Sequence, residues 1–462
     1  MVFQNKKLPF NQSGKSTEQN FNLLSEILSG NLDFHDEGRT YASHNFHSFP
    51  AKFPPQLPKT FINQLTKPGD IVLDPMVGSG TTVLEGYLCQ RKAVGFDIDP
   101  LALNITRVKT TPLNKDDLVF IGKSILDNAN FSLQEGRDEL MKQMRDRYDE
   151  PTRKFFDQWF LKETQLELFA LVQEIEQIQH VAVRSFFEVC FSAIIITKSG
   201  GVSLALDLGH TRPHLAKKVI DRSGNILFGT KDEAPKYLTK IVRPVLNEFD
   251  KRVKQNFGGL IASTPDRFPT EIKYGNAQYL PLEDDSVDLI VTSPPYASNA
   301  IDYMRAHKFS LSWFGYSIND LGQKRKDYIG GEALGDFRFE ELPVVPSKIV
   351  SNLREKDSKK SLVLHRYYSE MTRVLKEMYR VLRPQTSAVV VVGNSIMRGT
   401  DTETAECLAE IGRTIGFEVP RIGIRMLDRD KRMMPAGGTV NFDSQIQQRM
   451  HEEYVIGFYK PE

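Results

Sequence analysis

Ser293-Pro294-Pro295-Tyr296 closes the run Val287-Asp288-Leu289-Ile290-Val291-Thr292. The branched apolar residues specify a buried strand, and the prolines end it because they cannot continue a sheet ladder. In open parallel α/β sheets, ligands bind beyond the carboxyl ends of the strands, so this hydroxyl and phenol stand where a substrate is touched. Proline also supplies a carbonyl with no N–H of its own to compete. A second constellation is Asp74-Pro75-Met76-Val77-Gly78-Ser79-Gly80-Thr81-Thr82, which follows the apolar Ile71-Val72-Leu73 and leads into a helix from about Thr82 to Cys89. Strand, glycine turn and helix N-terminus together let backbone amides approach a ligand closely. Asp97, in the next strand Ala93-Val94-Gly95-Phe96-Asp97-Ile98-Asp99, lies near the distance at which a nucleotide-binding fold sets a carboxylate on ribose hydroxyls.

A third segment, His44-Asn45-Phe46-His47-Ser48-Phe49-Pro50-Ala51-Lys52-Phe53-Pro54-Pro55, pairs prolines that block regular structure with aromatics that need packing. A loop lining a pocket meets both demands. These segments require an α/β frame, and the chain has the length for one. At 462 residues it exceeds one ordinary core, so a large domain with an insertion, or two domains, is expected. Hydrophobic content of 40% and charged content of 26% are those of a soluble globular protein. A net charge of +1 excludes a uniformly basic protein and leaves room for a local basic face. Cys89, Cys190 and Cys407 match no disulfide or zinc spacing. No metal site is expected. The longest apolar stretch, around Phe186 to Ile196, is too short to span a bilayer, and the start of the chain lacks an apolar signal core, so a cytoplasmic protein without a membrane partner is expected.

Residues 1–40 are polar and read as a mobile tail with one helix, marked by an amphipathic patch at Phe21, Leu23, Leu24, Ile27 and Leu28. Residues 113–264 change to long helical periodicity, as at Phe155, Phe156, Trp159 and Phe160. Between Lys198 and Lys254 stand twelve Lys or Arg, among them Arg212, Lys231, Lys236, Lys240, Arg243, Lys251 and Arg252, against six acids. A mostly helical insertion with a basic face is a candidate phosphate-contact surface. The α/β pattern returns at Tyr274-Gly275-Asn276-Ala277. Residues 301–354 read as an irregular, mobile loop over the site, with Tyr303 and Trp313 as secondary candidates for stacking on a substrate. A helix through Tyr368, Met371, Val374, Leu375 and Met378 then ends before Pro384, and the strand Ala388 to Val392 follows. Ile422 to Met426 and Tyr454 to Tyr459 form an expected antiparallel edge pair.

Together, Asp74-Pro75 through Thr82, Gly95-Phe96-Asp97-Ile98-Asp99-Pro100, Tyr274 to Ala277 and Thr292 to Tyr296 resemble the motifs of the S-adenosylmethionine-dependent DNA amino-methyltransferases, which methylate cytosine N4 or adenine N6. The segment Phe49 to Pro55 is similar to the family's cofactor-adjacent motif. The resemblance covers about residues 41–110 and 270–462. It implies a Rossmann-like class I methyltransferase fold in residues 41–112 and 265–462, interrupted by the helical insertion 113–264, a candidate DNA-recognition region.

Carried over residue by residue, the resemblance implies that Phe49, Pro50, Ala51 and Lys52 flank the cofactor. Asp74, Pro75, Gly78, Ser79, Gly80, Thr81 and Thr82 would hold its methionine portion, Asp97 with Ile98 its ribose, and Asn276 with Ala277 its adenine. Met76 and Val77 replace the Phe and small residue often found there. Ser293, Pro294, Pro295 and Tyr296 would be catalytic. The exocyclic amine of a base is a poor nucleophile, and the Ser293 hydroxyl and Pro294 carbonyl would each accept one of its protons while Tyr296 stacks on the base. A base inside a duplex must be flipped out to reach such a site, so double-stranded DNA is the implied partner. A cognate restriction endonuclease is the candidate companion. Serine rather than aspartate at the head of the motif favours N4-cytosine over N6-adenine. An RNA base methyltransferase and a non-catalytic nucleic-acid-binding relative are the rival classes.

Overall fold

The computed structural model describes residues 17–50, 52–208, 213–229, 238–297, 302–331, 334–335, 337–427 and 452–462. Its strands are β1 (Ile71–Asp74), β2 (Lys92–Asp97), β3 (Lys218–Ile220), β4 (Ile226–Phe228), β5 (Thr239–Ile241), β6 (Glu271–Tyr274), β7 (Val287–Thr292), β8 (Leu382–Val392), β9 (Ile396–Met397), β10 (Thr400–Asp401), β11 (Ile422–Met426) and β12 (Glu452–Tyr459). Seven of them form one sheet in the order β11-β12-β8-β7-β1-β2-β6. β6, β2, β1, β7 and β8 run parallel, and β12 is antiparallel to both β8 and β11. This is the expected α/β sheet with an antiparallel edge. Connections from β1 lead to β2 and β6 on one side, while β7 and β8 lie on the other. The order therefore reverses between β1 and β7, the place where an open sheet leaves a crevice beyond its carboxyl ends.

Helices cover both faces of the sheet. Thr81–Leu88 and Pro100–Thr110 follow the first two strands, and Ser358–Val381 precedes β8. Pro100 and the Asp99 side chain, which accepts from Leu101 N at 2.8 Å, start the second of these as an ordinary capped helix. The strand after Ser358–Val381 begins at Leu382, earlier than expected, and includes Pro384.

Three expectations need correction. The tail carries the expected helix (Thr17–Ser29), but from there on it is docked and not a tail, with Leu24 and Leu28 buried against Val389, Val391 and Val455 of the sheet. Residues 1–16 lie outside the described residues. Among the described residues the insertion is helical as expected, in six helices from Lys115–Glu135 to Val245–Phe257, but it also carries a small sheet ordered β4-β3-β5. Its Lys240 is not on a basic face. The ammonium is buried and donates to the carbonyls of Ser199 (2.9 Å) and Ala205 (2.5 Å), and burial lowers its pKa to about 7. Arg222 and Arg243 both pair with Glu248, and Arg212, Lys231 and Lys236 lie outside the described residues.

The third correction concerns the stretch after Tyr296. Its described residues are largely helical (Tyr303–Leu311, Ile318–Lys324, Val344–Lys356). Trp313 is fully buried and stacks on Phe156 of the insertion with centroids 3.9 Å apart, so it is a core residue and cannot meet a substrate. Met304, Phe309 and Trp313 share one hydrophobic core with the insertion's Phe156, Phe169 and Phe187 and with Leu101 and Ile105 of the main domain. The insertion is therefore built onto the domain through a common core.

Candidate active site

The carboxyl ends of β1, β2, β6 and β7 open onto a cleft of about 850 Å³. Of the residues expected from the motifs, Phe49, Pro50, Lys52, Asp74, Pro75, Gly78, Ser79, Thr81, Asp97, Ile98, Asn276, Ala277, Ser293 and Pro295 line it. Ala51 lies outside the described residues. Gly80, Thr82, Pro294 and Tyr296 do not line the cleft. Gly80 caps the helix Thr81–Leu88 at φ +75°, and a Cβ there would lie 2.6 Å from Thr106 Oγ1, so only glycine fits this turn. The fully buried Thr82 hydroxyl donates to Val291 O at 3.0 Å, tying that helix to β7. Met76, Val77, Asp99, Gly275 and Tyr328 are lining residues that sequence reasoning did not assign to the site, and Tyr303, a secondary candidate for stacking, lines it as well. Asp99 and Gly275 stand inside the motifs themselves. Tyr328 carries no local signal.

A buried side-chain hydrogen bond joins the two halves of the site. Thr292 Oγ1 donates to Asp74 Oδ1 at 2.7 Å, joining the end of β7 to the end of β1 across 218 positions of sequence. Asp74 also accepts from Met76 N (3.1 Å), yet burial outweighs these bonds and pushes its pKa up to about 6. Asp97 acts likewise on the neighbouring strand. Its Oδ2 accepts from Gly78 N and its Oδ1 from Asp99 N, both at 2.9 Å, holding the β2 end against the glycine turn. Burial and the adjacent Asp99 charge push Asp97 up to about 7. Asp99 goes the other way. Burial would raise it, but His307, whose Nδ1 lies 2.5 Å from its Oδ2, holds it below the usual carboxylate range.

The loop around Phe49 is clamped onto the glycine-turn helix by buried polar groups. His44 Nε2 and Tyr41 OH both reach Glu85 Oε1 at 2.7 Å, and Lys52 Nζ donates to His44 O at 2.9 Å. Fully buried Lys109 donates to Ser79 O at 2.6 Å. From the far side, Tyr303 stacks on Phe49, with centroids 5.3 Å apart and the rings 28° from parallel. Tyr303 is thereby a wall of this cleft. Tyr296 is buried with its phenol donating to Glu453 Oε1 at 2.9 Å.

The cleft fits S-adenosylmethionine on its donor set. Two carboxylates held near neutrality by burial favour ligands that bring hydrogen-bond donors or positive charge, which the cofactor's hydroxyls, amine and sulfonium supply. At Gly78, which lines the cleft, an added Cβ would lie 3.2 Å from Phe49. Among the described residues no cluster could hold a metal ion, and no helix is long and apolar enough to cross a membrane.

A protein-family model described as DNA methylase matches residues 5–107. Type II methyltransferase M.MvaI from Kocuria varians is 26% identical over 415 residues, 84% of this chain and 85% of that protein. Type II methyltransferase M.AvaI from Nostoc sp. is 24% identical over 449 residues, covering 88% of this chain and 86% of the relative. Type II methyltransferase M.MjaII from Methanocaldococcus jannaschii is 34% identical over a shorter 140 residues, 29% of this chain and 24% of that protein.

Proposed function

Because the chain belongs to the S-adenosylmethionine-dependent DNA amino-methyltransferases, we propose that it methylates the exocyclic N4 amine of cytosine within a specific duplex sequence, with the target base flipped out of the helix. A cognate restriction endonuclease is its proposed companion. The observation that carries this reading is that Ser293 and Pro295 line the same cleft as Asp74, Gly78 and Asp97, joined by the Thr292–Asp74 bond. When bound, S-adenosylmethionine supplies a methyl group made electrophilic by its sulfonium sulfur. Asp74 and the turn to Thr81 hold its methionine portion, Asp97 its ribose hydroxyls, and Asn276 and Ala277 border its adenine.

The remaining work falls to the end of β7. The Ser293 oxygen accepts a hydrogen bond from one N–H of the target amine, and the Pro294 carbonyl accepts one from the other. That draws the nitrogen toward tetrahedral geometry and turns its lone pair toward the cofactor side of the cleft. A single proton leaves the nitrogen for solvent once the methyl group is attached. Serine rather than aspartate at the head of this motif is the feature that favours cytosine N4 over adenine N6. Stacking of the base on Tyr296, which is buried beside the cleft, would need the end of β7 to open toward it. Flipping costs a few kcal/mol, some of which such stacking would offset. The insertion is the proposed DNA-recognition region, supported by exposed Lys217 just before β3 and exposed Lys251 on the helix Val245–Phe257. Replacing those lysines and finding unchanged DNA affinity and site choice would remove that element of the reading.

Incubation with labelled S-adenosylmethionine and separate DNA and RNA substrates, followed by nucleoside mass spectrometry, tests the whole. N4-methylcytosine in DNA is the expected product. N6-methyladenine would overturn the base assignment, and label confined to RNA would overturn the substrate.

A further inference from the structure

Arg325-Lys326-Asp327-Tyr328-Ile329-Gly330-Gly331 lies outside the four motifs and the Phe49 to Pro55 segment, yet Asp327, Tyr328 and Ile329 line the cleft. Local chemistry and packing fix this segment closely. Gly331 N donates to Tyr328 O at 3.1 Å, closing a turn whose third residue, Gly330, takes φ +77°, a conformation glycine adopts without strain. Ile329, at the second position, is 8% exposed and enters the core built by the helix Ser358–Val381 and β8. Just before the turn, Arg325 pairs with Asp302, and Lys324 Nζ lies 5.7 Å from the ring centroid of Tyr274, the last residue of β6. The segment therefore crosses the cleft at the carboxyl end of β6, beside Gly275, Asn276 and Ala277.

The helix Ser358–Val381 also grips the segment on both sides of Tyr328. Arg366 and Glu370, one turn apart on that helix, pair at 2.8 Å and are 6% and 2% exposed. Arg366 Nη2 donates to Lys326 O at 2.9 Å, and Glu370 Oε2 accepts from Gly330 N at 2.7 Å. Tyr328 stands midway between the two gripped residues. A buried ion pair seldom stabilises a fold better than apolar residues of the same size, and this one directs further hydrogen bonds to the backbone on either side of Tyr328, so what it supplies is position.

What Tyr328 brings to the cleft is its ring. Its hydroxyl is buried, and burial with the nearby Asp99 and Asp97 charges pushes its pKa up, so it stays an uncharged phenol. Ile98, Ala277 and Ile329 line the same cleft and give this end an apolar surface. A flat aromatic face among apolar neighbours suits the face of a purine better than it suits an amino-acid group, because ring stacking needs area and no charge. We infer that Tyr328 is a further cofactor-binding residue, closing the nucleoside end of the cleft with its ring, and that Arg366 and Glu370 are positioning residues that hold it there. This rests on the reading in which Asp97 meets the ribose and Asn276 borders the adenine.

The test compares Tyr328→Ala, Tyr328→Phe, Glu370→Gln, the double variant of Tyr328→Ala with Glu370→Gln, and Asp97→Asn, all in the full chain. Affinities for S-adenosylmethionine, S-adenosylhomocysteine and 5′-methylthioadenosine are measured by isothermal titration. The three ligands share the thioadenosine half and differ in the methyl group and the amino acid. Tyr328→Ala is expected to weaken all three by a similar factor, about tenfold or more, while Tyr328→Phe, which keeps the ring, stays within about threefold of wild type. Glu370→Gln should weaken binding as well but add nothing in the Tyr328→Ala background, since the clamp then has no ring to position. Tyr328→Leu keeps an apolar side chain and removes the flat face, so it carries the decision if Tyr328→Ala does not fold. Wild-type affinities in Tyr328→Ala, a loss that spares 5′-methylthioadenosine, or a loss as large in Tyr328→Phe would each overturn the ring contact, and losses that multiply in the double variant would overturn the clamp. If Asp97→Asn kept its affinity for 5′-methylthioadenosine, the nucleoside assignment itself would fail; if only Tyr328→Ala kept it, that assignment would stand and the role of Tyr328 alone would fall.

Discussion

Cofactor affinity should depend on pH through Asp97. Its carboxyl already accepts two backbone N–H bonds, yet burial and the Asp99 charge place its pKa at about 7. Ribose hydroxyls are donors, so the ionised form is the one that receives them, and near neutrality about half of the free protein must lose a proton first. The folded value lies above the ordinary carboxylate range, so the ionised, binding-competent form dominates above pH 7 and is depleted as the pH falls. With binding restricted to the ionised form, the dissociation constant scales as one plus the ratio of protonated to ionised Asp97. Between pH 8 and pH 6 that factor is about tenfold, or about 1.4 kcal/mol. Isothermal titration of S-adenosylmethionine in buffers of different ionisation enthalpy should show close to one proton released at pH 6 and few at pH 8. Asp97→Asn should bind more weakly and without this dependence. Equal wild-type affinity at the two pH values, or the same slope persisting in Asp97→Asn, would refute the assignment. For folding the sign is opposite: the raised pKa values of Asp97 and Asp74 disfavour their ionised forms in the native state, so their contribution to stability declines as pH rises from the ordinary carboxylate range toward 7.

Thr292→Val is nearly isosteric but strips Asp74 Oδ1 of its 2.7 Å donor in a fully buried place. A loss of about 1–3 kcal/mol in denaturant unfolding is expected, and an unchanged midpoint would show that the link between the two halves contributes nothing to stability. Trp313→Ala should cost about 3–5 kcal/mol, and because Trp313 stacks on Phe156, the insertion should unfold with the main domain in one transition. Two separated calorimetric transitions in the wild type would contradict the shared core. Glu85→Gln weakens the acceptor that both His44 and Tyr41 reach, so the loop bearing Phe49 should exchange its amides faster and S-adenosylmethionine should bind more weakly; unaltered exchange would show that the clamp is not needed.

The regions of the site legible in sequence are those where backbone geometry leaves a mark. Gly80 stands at φ +75° in a turn that leaves no room for a Cβ, and the prolines after β7 stop its ladder, so both strand ends can be read directly. The N-terminal helix is legible in its apolar patch, but its docking is hidden because the partners of Leu24 and Leu28, Val389 and Val455, lie hundreds of positions away, and polar flanks make the segment look like a tail. Lys240 looks like surface charge because nothing in its neighbourhood announces the carbonyls of Ser199 and Ala205 that receive its ammonium. β3, β4 and β5 have three residues each, too few for a period to show.

The stretch after Tyr296 escapes a local reading for a deeper reason. Its glycines and charges argue for a loop when taken one by one, whereas its buried residues find their partners only in three dimensions. His307 reaches Asp99 across 208 positions, Tyr303 stacks on Phe49 across the cleft, and Trp313 completes the insertion's core. One segment thus touches the cofactor wall, the carboxylates at the end of β2 and the insertion. A displacement of the insertion therefore cannot leave Tyr303 and His307 where they are, since Phe309 and Trp313, six positions or fewer along from His307, are fixed in its core. The coupling between the proposed DNA-recognition region and the cofactor cleft is in this sense a matter of shared packing, and it is invisible to any local reading because no single element contains it.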